Sequence, residues 1–456
     1  MKVEVIILAA GQGTRMHSDL PKVMHEIGGK PLLAHVLDAV KPLKSSAVHI
    51  VYGHGGERVR ERVTDDGLHW VLQAEQHGTG HAVSQALPAV ANDAVVLVLY
   101  GDVPLIQPTT LGALIAAAGV EKLALLTAVL DDPTSYGRII RDNNNRVLKV
   151  VEQKDASAEE LTVREINTGL LAAPANGLGR WLAKVGNRNA QGEYYLTDVI
   201  AMAADEGVDI ATCQAPSTWE IMGINSKAEL ALLERRFQAR QAQALMEQGV
   251  SFCDPGRFDL RGELEAGRDV VIDINVVLEG KVVLGDAVHI GPNNFIRNSS
   301  IGAGSVILPN CVIEDSVIGK NCRIGPFSRL RPGPELADRV QVGNFVELKK
   351  SRVGVGSKIN HLSYVGDTVV GSNVNIGAGT ITCNYDGANK HQTIIGDNVF
   401  IGSDTQLVAP VTVGEGATIG AGSTITKDAP AGELTLSRAQ QKTRTGWKRP
   451  VKKRES

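Results

Sequence analysis

From Ile272 onward aliphatic residues return at every sixth position in successive runs, and this repeat dominates the second half of the chain. The series runs Ile272, Leu278, Leu284, Ile290, Ile296, then Ile301, Ile307, Ile313, then Ile318, Ile324, Leu330, Leu336, Val342, Leu348. It resumes at Val353, Ile359, Val365, at Val370, Ile376, and at Ile395, Ile401, Leu407, Val413, Ile419, Ile425. Two residues before these positions stand small or β-branched side chains, among them Val282, Ser305, Cys311, Cys322, Ser357, Thr405 and Ser423. Residues two apart on a strand share a face, so each hexad predicts a short strand aiming one large and one small side chain inward. Glycine often follows the aliphatic, where a sharp corner is needed. Such strands cannot bury their face alone; stacking coil on coil makes the core and pairs the backbone axially. The pattern predicts a β-helix from about Val250 to Lys427. Its period breaks between Ile376 and Ile395, where Thr382 to His391 should loop outward, on the kind of face where solenoids carry function.

The first half has a different rhythm. Val3 to Leu8, His49 to Tyr52, Ala94 to Tyr100 and Leu123 to Leu130 are apolar runs of strand length, and Pro31 to Lys41 has a helical pattern. Strands spaced this widely with helices between them predict a mostly parallel α/β sheet covered on both faces. This region ends near Asn225. Ser226-Lys-Ala-Glu229 has the form of a capping box, Leu230, Leu233, Phe237 and Leu245 fit one helical face, and Gly249 suits a C-cap. The expected organisation is residues 1–226 as an α/β domain, 227–248 as a linker helix and 249–456 as the β-helix domain with a C-terminal tail. A last helix packed wholly on the first domain is the competing reading.

Composition sharpens this picture. The chain has 456 residues, too many for one ordinary core, with 43% hydrophobic and 21% charged residues. Aromatic residues are only 4% while glycines number 49, as a thin prism with tight corners requires. Five cysteines without a CxxC pair argue against a disulfide scaffold or structural zinc and fit a reducing, cytoplasmic setting. A formal charge of -3 gives no pull toward nucleic acid, and no apolar run approaches a membrane span.

Candidate chemistry in the first half follows the strands. Leu8-Ala-Ala-Gly11-Gln-Gly13-Thr14-Arg15-Met16 lets backbone N–H groups approach phosphate, with Arg15 and Lys22 as cationic clamps. A plain tight turn is the alternative for the glycines. Tyr100-Gly101-Asp102 puts a carboxylate at the end of a central strand, where Mg²⁺ bridging to a nucleotide phosphate is the natural use and helix capping the competing one. Gln73, Gly78 and Thr79 lie in a loop able to read a base, while Tyr136-Gly137-Arg138, Glu152 and Asn167-Thr168-Gly169 read as polar or turn-like points. In the second half His361 sits two residues past an inward aliphatic, near a corner. Tyr364 and Asn375 face outward, and Ala378 lies about one coil further on. That histidine suits proton removal from an amine; an ordinary solvated histidine is the alternative.

Taken together, LxxGxGTRM…PK, YGDVPL, EQxGTGHA, YGRI, NTG and the hexapeptide tail span essentially the whole chain. The sequence resembles the bacterial family of bifunctional N-acetylglucosamine-1-phosphate uridyltransferases and glucosamine-1-phosphate acetyltransferases. The resemblance implies a Rossmann-like α/β nucleotidyltransferase domain followed by a left-handed parallel β-helix, assembled as a homotrimer. It implies UTP, acetyl-CoA and Mg²⁺, the metal on Asp102 and Asn225. Gly11 and Gly13 with the catalytic Arg15 and Lys22 would bind the triphosphate, and Leu8, Tyr100 and Gly101 would be further substrate- or nucleotide-binding residues. Gln73, Gly78 and Thr79 would serve uracil, Gly137, Glu152 and Asn167 the sugar, and Asn225 would contact substrate or nucleotide besides the metal. In the β-helix His361 is the implied general base, with Glu347 as support. Arg331, Lys349 and Lys390 would bind sugar phosphate, and Tyr364, Asn375, Asn384 and Tyr385 glucosamine. Ala378, Ser403, Ala421 and Arg438 would contact acetyl-CoA. A nucleotidyltransferase of single activity with a regulatory or trimerising β-helix is the rival. A purely structural solenoid is the other, and leaves His361 and the polar loop without a purpose. Cys383 is the only cysteine placed for a covalent acetyl route.

Overall fold

Alternation along the first strand, Val3–Ala9, decides how the N-terminal sheet is covered. Val5, Ile7 and Ala9 pack into one apolar cluster, whereas Ile6 and Leu8 pack into another on the opposite face. Neighbouring strands follow suit: Leu97 and Leu99 join the first cluster, Val96 and Val98 the second. A strand apolar on both faces is stable only between two layers, and helices supply both. The molecule is known here as a computed structural model that describes residues 1–11, 13–53, 55–63 and 67–452. The chain divides into two units, Met1–Phe237 and Gln238–Ser456.

The spine of the first unit's sheet runs Ile210–Gln214, Leu123–Val129, Glu165–Pro174, Val95–Tyr100, Val3–Ala9, Ala47–Tyr52, Leu68–Leu72. All neighbours are parallel except Glu165–Pro174, which opposes both strands beside it. A hairpin of Gly137–Arg141 and Val147–Val151 attaches to that strand. The turn-like reading of Tyr136-Gly137-Arg138 is therefore corrected, because Gly137 opens a strand. Asn167-Thr168-Gly169 is likewise part of a strand, where the register against Leu123–Val129 slips between Asn167 and Leu171. Strands whose buried and exposed positions do not alternate with apolar and polar residues lack the pattern that reveals a strand in sequence.

The helix Lys227–Glu247 begins at the capping box and ends at Gly249, whose φ of +99° suits a residue without a side chain. In the first unit, Leu233 is buried beside Met16, Ile27 and Leu32. In the second, Ala242 and Leu245 enter the solenoid core.

The solenoid is a left-handed parallel β-helix whose hexad register is carried through the stacking. Ile290 pairs with Ile307, Ile307 with Ile324, Ile324 with Val342, Val342 with Ile359, Ile359 with Ile376, Ile376 with Ile401 and Ile401 with Ile419. Every aliphatic of the sixfold series is at most 3% exposed. Each buried side chain of that size contributes roughly 1.5–3 kcal/mol, so the column is the main source of stability. The small inward register is closed by hydrogen bonds: the Ser305 hydroxyl donates to Gly319 O at 2.8 Å and that of Ser357 to Gly371 O at 2.7 Å. Cys311 and Cys322 lie in this register and are buried. Strands begin at Ser251–Phe252 and continue to Leu434–Thr435, slightly past the predicted end.

The outward loop is shorter than expected. Thr382 takes an inward hexad place, 1% exposed, on a strand Ile381–Cys383 paired with Gln406–Val408. Asn384 is also buried, and only Tyr385 to Lys390 stands fully out from the coil. A threonine fits the aliphatic place because its methyl packs inward while its hydroxyl accepts the Gly366 N–H at 2.8 Å.

Candidate functional site

The first strand, Val3–Ala9, lies between Ala47–Tyr52 and Val95–Tyr100, all parallel. The chain builds outward from it on one side and then crosses to the other. The loops after Ala9 and Tyr100 therefore diverge and leave a crevice at the carboxyl ends of the strands. A cavity of about 820 Å³ is lined there by Leu8, Gly11, Gly13, Lys22, Gln73, Gly78, Thr79, Tyr100, Asp102 and Asn225. Gly13 has φ +61°, and a Cβ on it would stand 2.8 Å from the Lys22 Cβ. Only glycine lets Lys22 fold across this loop. Arg15, next to the cavity-lining Thr14, is exposed on the turn Thr14–Met16.

Lys22 draws three parts of the chain together. Its ammonium pairs with the Asp102 carboxylate and donates to the Asn225 side-chain oxygen at 3.1 Å. Backbone bonds fix both partners: the Ile224 N–H donates to Asp102 O at 3.0 Å, and the Asn225 N–H donates to the Glu229 carboxylate at 2.7 Å. Glu229 also accepts from the Ser226 hydroxyl at 3.1 Å, so the helix cap holds Asn225 in place. Two hard oxygens thus already share one cation, a donor set suited to Mg²⁺. No group of three or more His, Cys, Asp or Glu able to hold a metal occurs among the described residues. Substrate phosphate oxygens would have to complete the shell.

The loop after Leu68–Leu72 is clipped to a segment that the sequence left unmarked. The Gln73 amide donates to Gly78 O at 3.2 Å, and the Gly80 N–H donates to Tyr194 O at 2.8 Å. Thr79 accepts the Leu196 N–H at 3.1 Å. Gly78, with φ +110°, leaves no room for a Cβ, which would meet Tyr194 O at 2.7 Å. Deeper in, burial first, then the Glu152 and Asp102 carboxylates, push the Tyr100 hydroxyl well above its usual range and keep it neutral. A Cβ on Gly169 would strike the Tyr100 ring at 2.6 Å, while Asn167 accepts the Gly169 N–H at 3.2 Å. Glu152 is raised by burial, although the Thr197 hydroxyl donates to it at 3.0 Å. Gly137 faces the same carboxylate, 3.4 Å from its notional Cβ. A second cavity of about 340 Å³ is lined by Glu152, Asp155, Arg188, Tyr195, Thr197 and Asp198. Glu193, Tyr194 and Thr197 have no local signature; long-range bonds place them, among them that from Tyr194 N–H to His77 O at 2.8 Å.

In the second unit His361 ends the strand Lys358–His361 at an exposed corner. Its carbonyl accepts the Ser363 hydroxyl at 2.8 Å and the Gly379 N–H of the next coil at 3.3 Å, which brings Ala378 alongside. Its ring nitrogen Nδ1 meets the Asn344 Oδ1 at 3.0 Å. The Glu347 carboxylate, toward which the resemblance pointed, is instead engaged by Arg331 at 3.0 Å. Lys390 and Arg331 crowd Lys349: the Lys390 ammonium, then burial, hold Lys349 below the usual lysine range. Asn384 donates to the Tyr364 hydroxyl at 3.4 Å and to Asp367. Asn375 is half-buried on its strand one coil on from Lys358, and Tyr385 is exposed with its hydroxyl on Gly387 O at 2.6 Å. The loop between is pinned by Asp386, which the Asn389 N–H, then the His391 ring, hold far below the ordinary carboxylate range.

A second feature runs along the axis. Ala378, Ser403 and Ala421 recur at one corner of three successive coils, and Arg438 donates to Ala421 O at 2.7 Å at the end of the column. Glycines precede all three, and a Cβ on Gly377 or Gly402 would lie 2.6 or 2.4 Å from the next coil's backbone. Small side chains on such tightly stacked corners leave a long shallow track.

Comparison with known proteins covers the whole chain. Residues 5–158 match the MobA-like NTP transferase domain, residues 261–353 the GMPPB C-terminal domain, and residues 392–427 the six-repeat bacterial transferase hexapeptide. The bifunctional protein GlmU of Aromatoleum aromaticum is 58% identical over 452 residues, covering 99% of each chain. The bifunctional protein GlmU of Nitrosospira multiformis is 56% identical over 453 residues, with 99% of this chain and 98% of that one covered. That of Marinobacter nauticus is 56% identical over 450 residues, 99% of each. With identity this high from end to end, the chain belongs to the family of bifunctional GlmU proteins.

Proposed function

We propose that the two reactions of this family proceed at the two sites described above, acetyl transfer first. The chain is a bifunctional acetyltransferase and uridyltransferase that makes UDP-N-acetylglucosamine, with acetyl-CoA and UTP as substrates. The observation that carries the pairing is the end-to-end match at 58% identity, which leaves neither unit unaccounted for.

At the β-helix corner the amine of glucosamine-1-phosphate attacks the acetyl carbonyl of acetyl-CoA while His361 takes its proton, and CoA leaves as the thiol. Arg331, Lys349 and Lys390 hold the sugar phosphate, Tyr364, Asn375, Asn384 and Tyr385 the glucosamine, and the track of Ala378, Ser403, Ala421 and Arg438 the coenzyme. In the first unit a phosphate oxygen of N-acetylglucosamine-1-phosphate then displaces pyrophosphate from the α-phosphorus of UTP. Lys22 and Arg15 offset the charge gathering on the phosphates, and the amides around Gly11 and Gly13 cradle them. Gln73, Gly78 and Thr79 read uracil; Gly137, Glu152 and Asn167 orient the sugar, and Leu8, Tyr100 and Gly101 add further substrate contacts. Asp102 and Asn225 hold Mg²⁺, which supplies charge neutralisation and alignment of the phosphates.

We read the assembly as a homotrimer. Phe327, Phe345 and Leu362 stand one above another on a single corner of the solenoid, each at least half exposed, and the two phenyl rings stack 5.4 Å apart. An apolar ladder of this kind is covered by neighbouring copies in a stable protein. Five unpaired cysteines fit a reducing cytoplasm. Among the described residues no helix is long and apolar enough to cross a membrane.

Two separate incubations test the reading. Glucosamine-1-phosphate with acetyl-CoA, without UTP, should release free CoA. N-acetylglucosamine-1-phosphate with UTP and Mg²⁺ should release pyrophosphate. Failure of either removes that half of the function. The lysine cluster adds a pH dependence. Because Lys390 and burial lower Lys349, its ammonium is lost earlier on raising the pH than an ordinary lysine's. The KM for glucosamine-1-phosphate should therefore rise on the alkaline side. In Lys390→Met the KM near neutral pH should be higher, but its alkaline rise should begin at a higher pH. Measuring KM across pH in both proteins checks this.

A further inference from the structure

The ring of His361 has one hydrogen-bonding partner that the sequence did not suggest. Asn344 and His361 are register partners on adjacent coils, on strands Gln341–Asn344 and Lys358–His361. The contact between Asn344 Oδ1 and His361 Nδ1 is 3.0 Å, and the Asn344 carbonyl accepts the Leu362 N–H at 3.1 Å. One residue therefore grips both the ring and the backbone immediately after it. Leu362 has φ +50° and Phe345 has φ +57°, so the two coils turn their corners at the same level. That shared corner fixes the direction in which the ring leaves the coil.

With the Asn344 oxygen as acceptor, the neutral imidazole carries its proton on Nδ1 and presents the Nε2 lone pair outward. We propose that Asn344 is the positioning residue of the acetyltransferase site, holding His361 in the tautomer whose Nε2 is the base. This rests on the reading of His361 as the general base. When His361 takes the proton of the attacking amine, both ring nitrogens carry hydrogen. The bond to Asn344 then persists and strengthens, because its donor is charged. The residue type also matters. A carboxylate at 344 would fix the same tautomer but favour the imidazolium, leaving less free base at neutral pH. The coils on either side of His361 bring Asn344 from one direction and Gly379 from the other, neither of them titratable. Glu347, the support that the resemblance implied for His361, is paired with Arg331.

The test uses the full-length protein and three variants. Asn344→Leu removes the acceptor while keeping a side chain of similar size. Its kcat for acetyl transfer should fall about tenfold to a hundredfold, a part of the 10²–10⁴ that a general base contributes, with KM for glucosamine-1-phosphate within about twofold of the parent. Asn344→Asp restores an acceptor, so its kcat at alkaline pH should return toward the parent value. The acid limb of its kcat profile should move up by about one pH unit, the low end of the shift an adjacent opposite charge produces. The parental KM for glucosamine-1-phosphate reports that the β-helix corner is folded, and uridylyl transfer by the same preparations that the first unit is. A parental kcat in Asn344→Leu, or an unmoved acid limb in Asn344→Asp, would overturn the assignment of Asn344. If His361→Ala itself retains acetyl transfer, the reading of His361 fails, and that result is separate from either outcome at 344.

Discussion

Asp102→Ala is expected to lose uridylyl transfer by about 10³-fold or more, with acetyl transfer unchanged. The size follows from what the carboxylate does. It is one of two oxygens that hold the Lys22 ammonium, the other being that of Asn225, and on the proposed reading the same pair would hold Mg²⁺ against the triphosphate. Phosphoryl-type transfer needs little from the protein except charge and position. Removing half of a two-oxygen cradle should forfeit about 4 kcal/mol of transition-state stabilisation, which corresponds to the 10³ above. The apparent Mg²⁺ requirement of the residual activity should rise as well. That second reading separates metal binding from a mere release of Lys22, since a displaced lysine alone leaves the metal dependence where it was. A variant with parental pyrophosphate release at low Mg²⁺ would remove Asp102 from the metal site.

What the sequence disclosed, and what it hid, divides along a physical line. Features encoded by local spacing were plain to read. The sixfold register of the solenoid is one, since a side chain's face on a short strand depends only on its place in the hexad. The glycines of the first loop are another, because the positive φ of Gly13 and the close approach of Lys22 demand that residue type. Contacts made by stacking were hidden. Asn344 meets His361 only because one full coil returns the chain to the same corner, and nothing near either residue announces it. Asn225 reaches Lys22 across the whole first unit, and Tyr194 meets the loop at Gly80 in the same way. The hairpin from Gly137 to Val151 was missed for a third reason. Its strands break the alternation, with Arg138 buried and Leu148 exposed, so the pattern does not mark them as strands. Thr382 shows a subtler failure. A polar residue at an aliphatic place reads as the end of the repeat, although its hydroxyl is satisfied by a backbone amide inside the coil.

The complementary result is expected at the other site: His361→Ala should lose acetyl transfer by about 10²–10⁴-fold, the range that general-base catalysis supplies, while uridylyl transfer is retained. The amine of the acceptor is largely an ammonium near neutral pH and cannot attack a thioester until that proton is gone. On the proposed reading His361 removes it, from an exposed corner where its carbonyl is tied to Gly379 on the next coil. Without the imidazole only solvent removes the proton. The residual rate of His361→Ala should therefore climb steadily with pH, as the free amine becomes more abundant. The parent should instead level off once its own base is unprotonated. A covalent route through Cys383 would give a different picture, because the acetyl group would first pass to a thiolate. Burial pushes the Cys383 thiol above its usual range, so the nucleophilic form is scarce. Cys383→Ala should keep near-parental acetyl transfer. Loss of activity there, together with survival in His361→Ala, would transfer the chemistry from the histidine to the cysteine and reverse the assignment of this site.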